Sequence, residues 1–149
     1  SVYTLSEDRS AQMAEDATAS GNFRVFDVDV SETDQDVSSI LFDLANTDTK
    51  NQSSRLASAL VSEMEEVIPM VRNTHRRAGL LVLLSPDVPA VMVEMAFLSN
   101  KKDEANLGSK NWRRKAMTAV ADGVDRYFED APLRRTAANG GTRGASASQ

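Results

Sequence analysis

The sequence predicts an α/β fold, and three observations predict it. Apolar residues recur at helical spacing over residues 36–68 and 109–128, two predominantly apolar runs lie between those segments, and turn residues punctuate each junction. Helices alternating with buried strands are the pattern of a sheet covered by helices.

Residues 1–5 form a strand candidate that is already under way at its first residue, which reads as an internal start of the chain. Ser6 is placed to cap a helix running to about Ala19, with Ala11, Met13, Ala14 and Ala17 as its apolar contacts, and Ser20-Gly21-Asn22 ends it. From Phe23 to Val30, the apolar residues Phe26, Val28 and Val30 alternate with Asp27 and Asp29, as in a half-buried strand or an extended loop.

Between Asp36 and Ile68, Val37, Ile40, Leu41 and Leu44, then Leu56, Leu60, Met64 and Val67, follow helical spacing in one long helix or two. The stretch from Thr47 to Ser54 has no apolar face, so it is either a break or a segment bordering solvent or a cleft. Gly79 leads into Leu80–Leu84, and Pro89 leads into Val91–Phe97; both runs read as strands buried on two faces. Ser99 or Asn100 can cap a short helix through Asn106, and Gly108 stops it. Ser109 can cap a last helix to Phe128 that packs Trp112, Ala116, Val120, Val124 and Phe128 on one side. Residues 1–128 are expected to form one domain. Residues 129–149, rich in Gly, Ala and Ser, are expected to form a flexible tail.

Composition narrows the function. A length of 149 residues with 41% hydrophobic and 26% charged residues suits one soluble globular domain. A net charge of −5 argues against general attraction to nucleic acid or anionic lipid. The lack of cysteine removes disulfides, thiolate nucleophiles and Cys-based zinc sites, yet fits either cytosol or periplasm. No run reaches the ~18 apolar residues of a membrane span, and the first ten residues carry no export signal.

Glu94 is the residue to single out, because it interrupts an otherwise apolar or small run from Val91 to Phe97. An unpaired buried carboxylate costs several kcal/mol, so Glu94 needs a cationic partner, a metal, or a place at the sheet edge where ligands bind. An ion pair with one of the many arginines weighs about evenly against a functional role. His75, the one histidine, lies among arginines. A zinc site needs at least three protein ligands, so His75 is read as a surface or hydrogen-bonding residue. The acidic segment from Asp27 to Asp36 has Glu32 and Ser38 where a calcium loop requires glycine and a bidentate glutamate, and is read as a solvated loop.

The stretch Arg77-Ala78-Gly79-Leu80, continuing through Ser85-Pro86-Asp87-Val88-Pro89-Ala90-Val91-Met92-Val93-Glu94-Met95-Ala96-Phe97-Leu98-Ser99-Asn100, resembles the end of the zinc-dependent N-acetylmuramoyl-L-alanine amidases, including the cell-division amidases. The similarity covers about residues 1–128. It takes in Ser1–Ser6, Ile40–Leu44, Ser53 and Ser54, Asp103 and Glu104, Leu107, Trp112 and Tyr127-Phe128. The resemblance implies a mixed sheet flanked by helices, a periplasmic location, peptidoglycan as partner, and hydrolysis of the amide joining the lactyl group of N-acetylmuramic acid to L-alanine. Glu94 matches the family's catalytic glutamate, which takes a proton from zinc-bound water and passes it to the leaving amine.

The family's zinc ligands, two histidines and a glutamate, would all precede Ser1, so the resemblance implies zinc for the intact enzyme but no ligand in this chain. This polypeptide is accordingly expected to lack activity alone, and a sheet without its leading strands would leave backbone edges unpaired. Ala96 stands where glycine is common in relatives. Residues 8–36 match a segment that in cell-division members folds over the zinc and is displaced by an activator protein, which makes Glu15 or Glu32 candidate blocking groups. Two other readings compete: a non-catalytic cell-wall or regulator-binding module of the same fold, and, ranked last, a metal-independent hydrolase using His75.

Overall fold

The helical spacing of residues 36–68 produces one unbroken helix, not two. In a computed structural model describing residues 1–12, 24–25, 28–29, 35–85 and 88–130, the elements in chain order are β1 (Val2–Leu5), a helical segment over residues 7–12, and the short strands β2 (Arg24–Val25) and β3 (Val28–Asp29). There follow α1 (Gln35–Glu65), β4 (His75–Ala78), a 3-10 turn (Leu81–Leu83), β5 (Met92–Val93), α2 (Lys101–Gly108) and α3 (Lys110–Asp130). The rest of the helix read from Ser6, and the tail after Asp130, lie outside the described residues.

The polar middle of α1 does not break the helix because its polar groups are satisfied where they are buried. Asn46 Nδ2 donates to Ser10 Oγ at 2.9 Å. Ser53 Oγ donates to the Thr49 carbonyl at 2.8 Å and accepts from the Ala90 amide at 3.0 Å, tying α1 to the approach to β5. In the first turns of α1, by contrast, Ile40 and Leu44 stand 65% and 63% exposed, so among the described residues the apolar face is covered only from Ala45 onward.

Three strands form a mixed sheet in the order β4-β1-β5. β1 pairs parallel to β4, Val2 with His75 through Leu5 with Ala78, and antiparallel to β5, Val2 with Val93 and Tyr3 with Met92. β2 and β3 pair separately as an antiparallel ribbon. Paired residues share a face and successive residues alternate, so the sheet has two distinct sides. On one, Val2 is fully buried with Ala57, Leu60, Met64 and Ile68 from α1 and its end and Ala116 and Ala119 from α3, while Val91, Val93 and Met95 pack against them. Burial of those side chains, each stabilising by about 1.5–3 kcal/mol for a Val, Leu or Met, is what joins the sheet to α1 and α3.

Two sequence expectations are corrected. The run Leu80–Leu84 is not a strand: Leu81 and Val82 are exposed in the 3-10 turn, and only Leu83 is buried. The strand pairing with β1 is the charged segment just before it, His75–Ala78. The run Val91–Phe97 is also not a strand buried on both faces, since β5 is two residues long and residues 91–96 are half-buried. One side of β5 has helices against it.

Both predicted caps form. The Asn100 side chain accepts from the amides of Lys102 and Asp103, and the Trp112 amide donates to Ser109 Oγ at 3.3 Å, starting α2 and α3. Gly108 is the last residue of α2 rather than a stop beyond it. The fully buried line of α3 is Ala116, Ala119, Gly123 and Tyr127; of the expected face, Ala116 is buried and Trp112, Val120 and Val124 pack against the core, while Phe128 is 49% exposed. Small side chains set the face here because α3 lies against the α1 backbone: a Cβ on Gly123 would stand 2.8 Å from Leu60 Cα.

Candidate active site

Glu94 follows β5 and faces away from the helices. The Glu94 amide donates to the Ser1 carbonyl at 2.8 Å and the Ser1 nitrogen donates to the Glu94 carbonyl at 2.9 Å, which sets Ser1 directly across from Glu94. That pairing continues the register of Val2 with Val93, so Glu94 shares the face of Ser1 and Tyr3 while Val93 points to the core. The sequence reading of a carboxylate set into an apolar strand is resolved by this alternation. The apolar neighbours of Glu94 turn toward α1 and α3, and Glu94, half-buried, turns to the polar side.

That side carries a short chain of polar contacts. The Tyr3 hydroxyl donates to Glu94 Oε2 at 3.2 Å, and an Arg76 guanidinium nitrogen donates to the Tyr3 oxygen at 3.4 Å. Arg76 reaches the site because β4 is parallel to β1 with Arg76 beside Tyr3. Its Nε also donates to the Asn73 carbonyl at 3.1 Å, which anchors the guanidinium. The partner of Glu94 is thus a tyrosine backed by an arginine, not the direct ion pair weighed from sequence.

His75 lies on the opposite face. It pairs with Val2, and its Nε2 sits 3.0 Å from Thr4 Oγ1, whose hydroxyl is buried. Burial, and secondarily the charge of Arg77, holds its imidazole below the ordinary 6.5. The folded protein therefore favours neutral His75, so this group leaves stability unchanged above the ordinary value and removes stability as pH falls below it. Urea unfolding at pH 7.5 and pH 5.5 is expected to show a loss on acidification that His75→Gln reduces.

The same side holds a polar cleft between β1, α1 and the loop ahead of β5, bordered by Thr4, Glu7, Asn46, Lys50, Ser53 and Arg77. Glu7 pairs there with Lys50, and more loosely with Arg77 at 3.7 Å. The hydrogen bond to Lys50 is the main reason its carboxyl is held below the ordinary range.

Zinc, implied by the resemblance, finds no ligand set here. Among the described residues no three His, Asp, Glu or Cys side chains gather as a metal site needs, and Glu94 and His75 occupy opposite faces of the sheet. Glu15 and Glu32 lie outside the described residues. Sequence reasoning singled out Glu94 but not Tyr3 or Arg76, whose roles depend on pairing between strands some 70–90 positions apart.

Comparison with known proteins finds relatives of one family. Residues 2–126 match the family described as N-acetylmuramoyl-L-alanine amidase. The chain is 39% identical over 98 residues to N-acetylmuramoyl-L-alanine amidase AmiA of Escherichia coli K12, covering 64% of this chain and 34% of that protein. It is 37% identical to AmiA of Salmonella typhimurium over the same shares. It is 34% identical over 101 residues to AmiC of Neisseria meningitidis, covering 68% of this chain and 24% of that one. The chain thus spans about a third or less of these curated relatives. No solved structure matches it.

Proposed function

Because this chain belongs to the N-acetylmuramoyl-L-alanine amidase family, we propose that the protein containing it hydrolyses peptidoglycan at the amide between the lactyl group of N-acetylmuramic acid and L-alanine, with Glu94 carrying the proton. The observation that carries the assignment is the position of Glu94: half-buried, on the face of the sheet away from the core, and directly across from Ser1. In the family the zinc ligands come before the segment that Ser1 opens, so a chain entering β1 passes beside the Glu94 carboxylate.

The chemistry assigned to this chain is proton transfer. Glu94 takes a proton from water as the water oxygen bonds to the amide carbon. When the carbon–nitrogen bond breaks, the same proton goes to the alanine nitrogen, leaving a lactyl carboxyl group and a peptide with a free amino terminus. The described residues do not meet the donor set for zinc, and on this reading the family's upstream ligands would supply it. The periplasm is the compartment where this substrate is met, and residues 8–36 are the segment on which an activator of the division machinery would act.

The test compares the chain extended upstream through the expected histidines with residues 1–149, using purified peptidoglycan. The extended protein should contain zinc and release peptides beginning with free L-alanine, stopping when a chelator is added, and the short chain should release none. Zinc-independent binding to peptidoglycan without cleavage by the extended protein would instead identify a non-catalytic cell-wall module.

A further inference from the structure

We infer that Tyr3 is a positioning residue for the Glu94 carboxylate, held in that task by Arg76; the inference rests on the reading of Glu94 as the proton carrier. Tyr3 lies two residues beyond Ser1, the cross-strand partner of Glu94, so the two side chains are diagonal neighbours on one face. Diagonal neighbours across an antiparallel pair are within reach of an aromatic side chain. The phenol uses that reach to place its hydroxyl 3.2 Å from Oε2.

The direction of this chain of hydrogen bonds is fixed by its far end. A guanidinium has only donors, so the Arg76 contact at 3.4 Å occupies the Tyr3 oxygen as an acceptor. The single phenolic proton is then left for Glu94. Arg76 is in turn fixed by its bond to the Asn73 carbonyl and by the parallel register of β4 with β1. Among the described residues this is the side-chain hydrogen bond of Glu94, and it engages Oε2, leaving Oε1 for the reacting water. A carboxylate pinned at one oxygen presents the other in a constant direction, which is what proton transfer within a hydrogen-bond distance requires.

The experiment uses the full-length, zinc-loaded protein carrying Tyr3→Phe, Arg76→Gln, Glu94→Gln and the Tyr3→Phe/Glu94→Gln pair. Tyr3→Phe should lower kcat about tenfold, the size of one hydrogen bond to a charged group, with KM, zinc content and Tm little changed. Arg76→Gln, which keeps the ring, should lower kcat in the same direction by a smaller factor. In the Glu94→Gln background Tyr3→Phe should add no further loss, and a crystal structure of Tyr3→Phe should show the Glu94 side chain spread over more than one rotamer. Full kcat in Tyr3→Phe beside an inactive Glu94→Gln overturns the positioning role alone. An equal loss from Tyr3→Phe with or without Glu94 also overturns it. Full activity of Glu94→Gln overturns the reading of Glu94 itself.

Discussion

Glu94→Gln in the full-length protein is expected to reduce kcat by about 10²- to 10⁴-fold, the range in which a positioned proton carrier contributes. Gln matches the shape of Glu and its side-chain oxygen can still accept from the Tyr3 hydroxyl, so the contact at 3.2 Å survives the change. The backbone bonds to Ser1 do not involve the side chain and survive as well. What Gln cannot do is take a proton from water and return it to an amine. KM and Tm should therefore hold while kcat collapses, and steady-state kinetics beside a melting curve separates that outcome from unfolding. An unchanged kcat would remove Glu94 from the chemistry.

The second large effect concerns stability. Gly123→Ala is expected to destabilise the protein by about 1–3 kcal/mol and lower Tm on the order of 5–10 °C, although alanine ordinarily favours a helix over glycine by about 1 kcal/mol. The reason is that the added methyl would lie 2.8 Å from Leu60 Cα and 3.2 Å from the Leu60 nitrogen. Those are backbone atoms, so no rotamer change relieves them and α3 has to move off α1. Leu60→Ala should accordingly fail to rescue Gly123→Ala, because truncating that side chain opens a cavity and leaves the backbone contact in place. Calorimetry of the two single variants and the pair decides the point. A Gly123→Ala protein as stable as its parent would mean the helices separate at little cost.

Much of the helical layer was legible in the sequence. Leu56, Leu60 and Met64 gave α1 its period, and Asn100 and Ser109 marked the starts of α2 and α3 by the side-chain oxygens that cap them. The face of α3 was legible in Trp112, Ala116, Val120 and Val124, which meet the core, but not in Phe128, which is exposed, nor in Gly123, which the close approach of Leu60 places on that face. The sheet was harder to read. Five consecutive aliphatic residues at Leu80–Leu84 look like a buried strand, yet the backbone partner of β1 is His75–Ala78, whose histidine and arginines conceal it.

For the site, one residue was legible and its surroundings were not. Glu94 announced itself as a carboxylate in an apolar run. Tyr3 and Arg76 carried no local signal, since what brings them to Glu94 is register between β1, β4 and β5, a long-range property. The expectation that Glu94 would be enclosed on both sides failed for the same reason: a strand two residues long with helices on one side leaves alternate residues on a second, polar side.

Tolerance to insertion follows from that alternation. A residue added between Met92 and Glu94, inside the paired segment, would shift the following side chains by one place, turning the carboxylate toward the core and a valine toward Tyr3. A carboxylate unpaired in that core costs several kcal/mol, a large share of the stability of an ordinary domain. Such a change would remove the folded protein before it produced a folded but inactive one. The spacing from Met92 to Glu94 is therefore constrained by parity, whereas the loop ahead of β5 can take up a change of length.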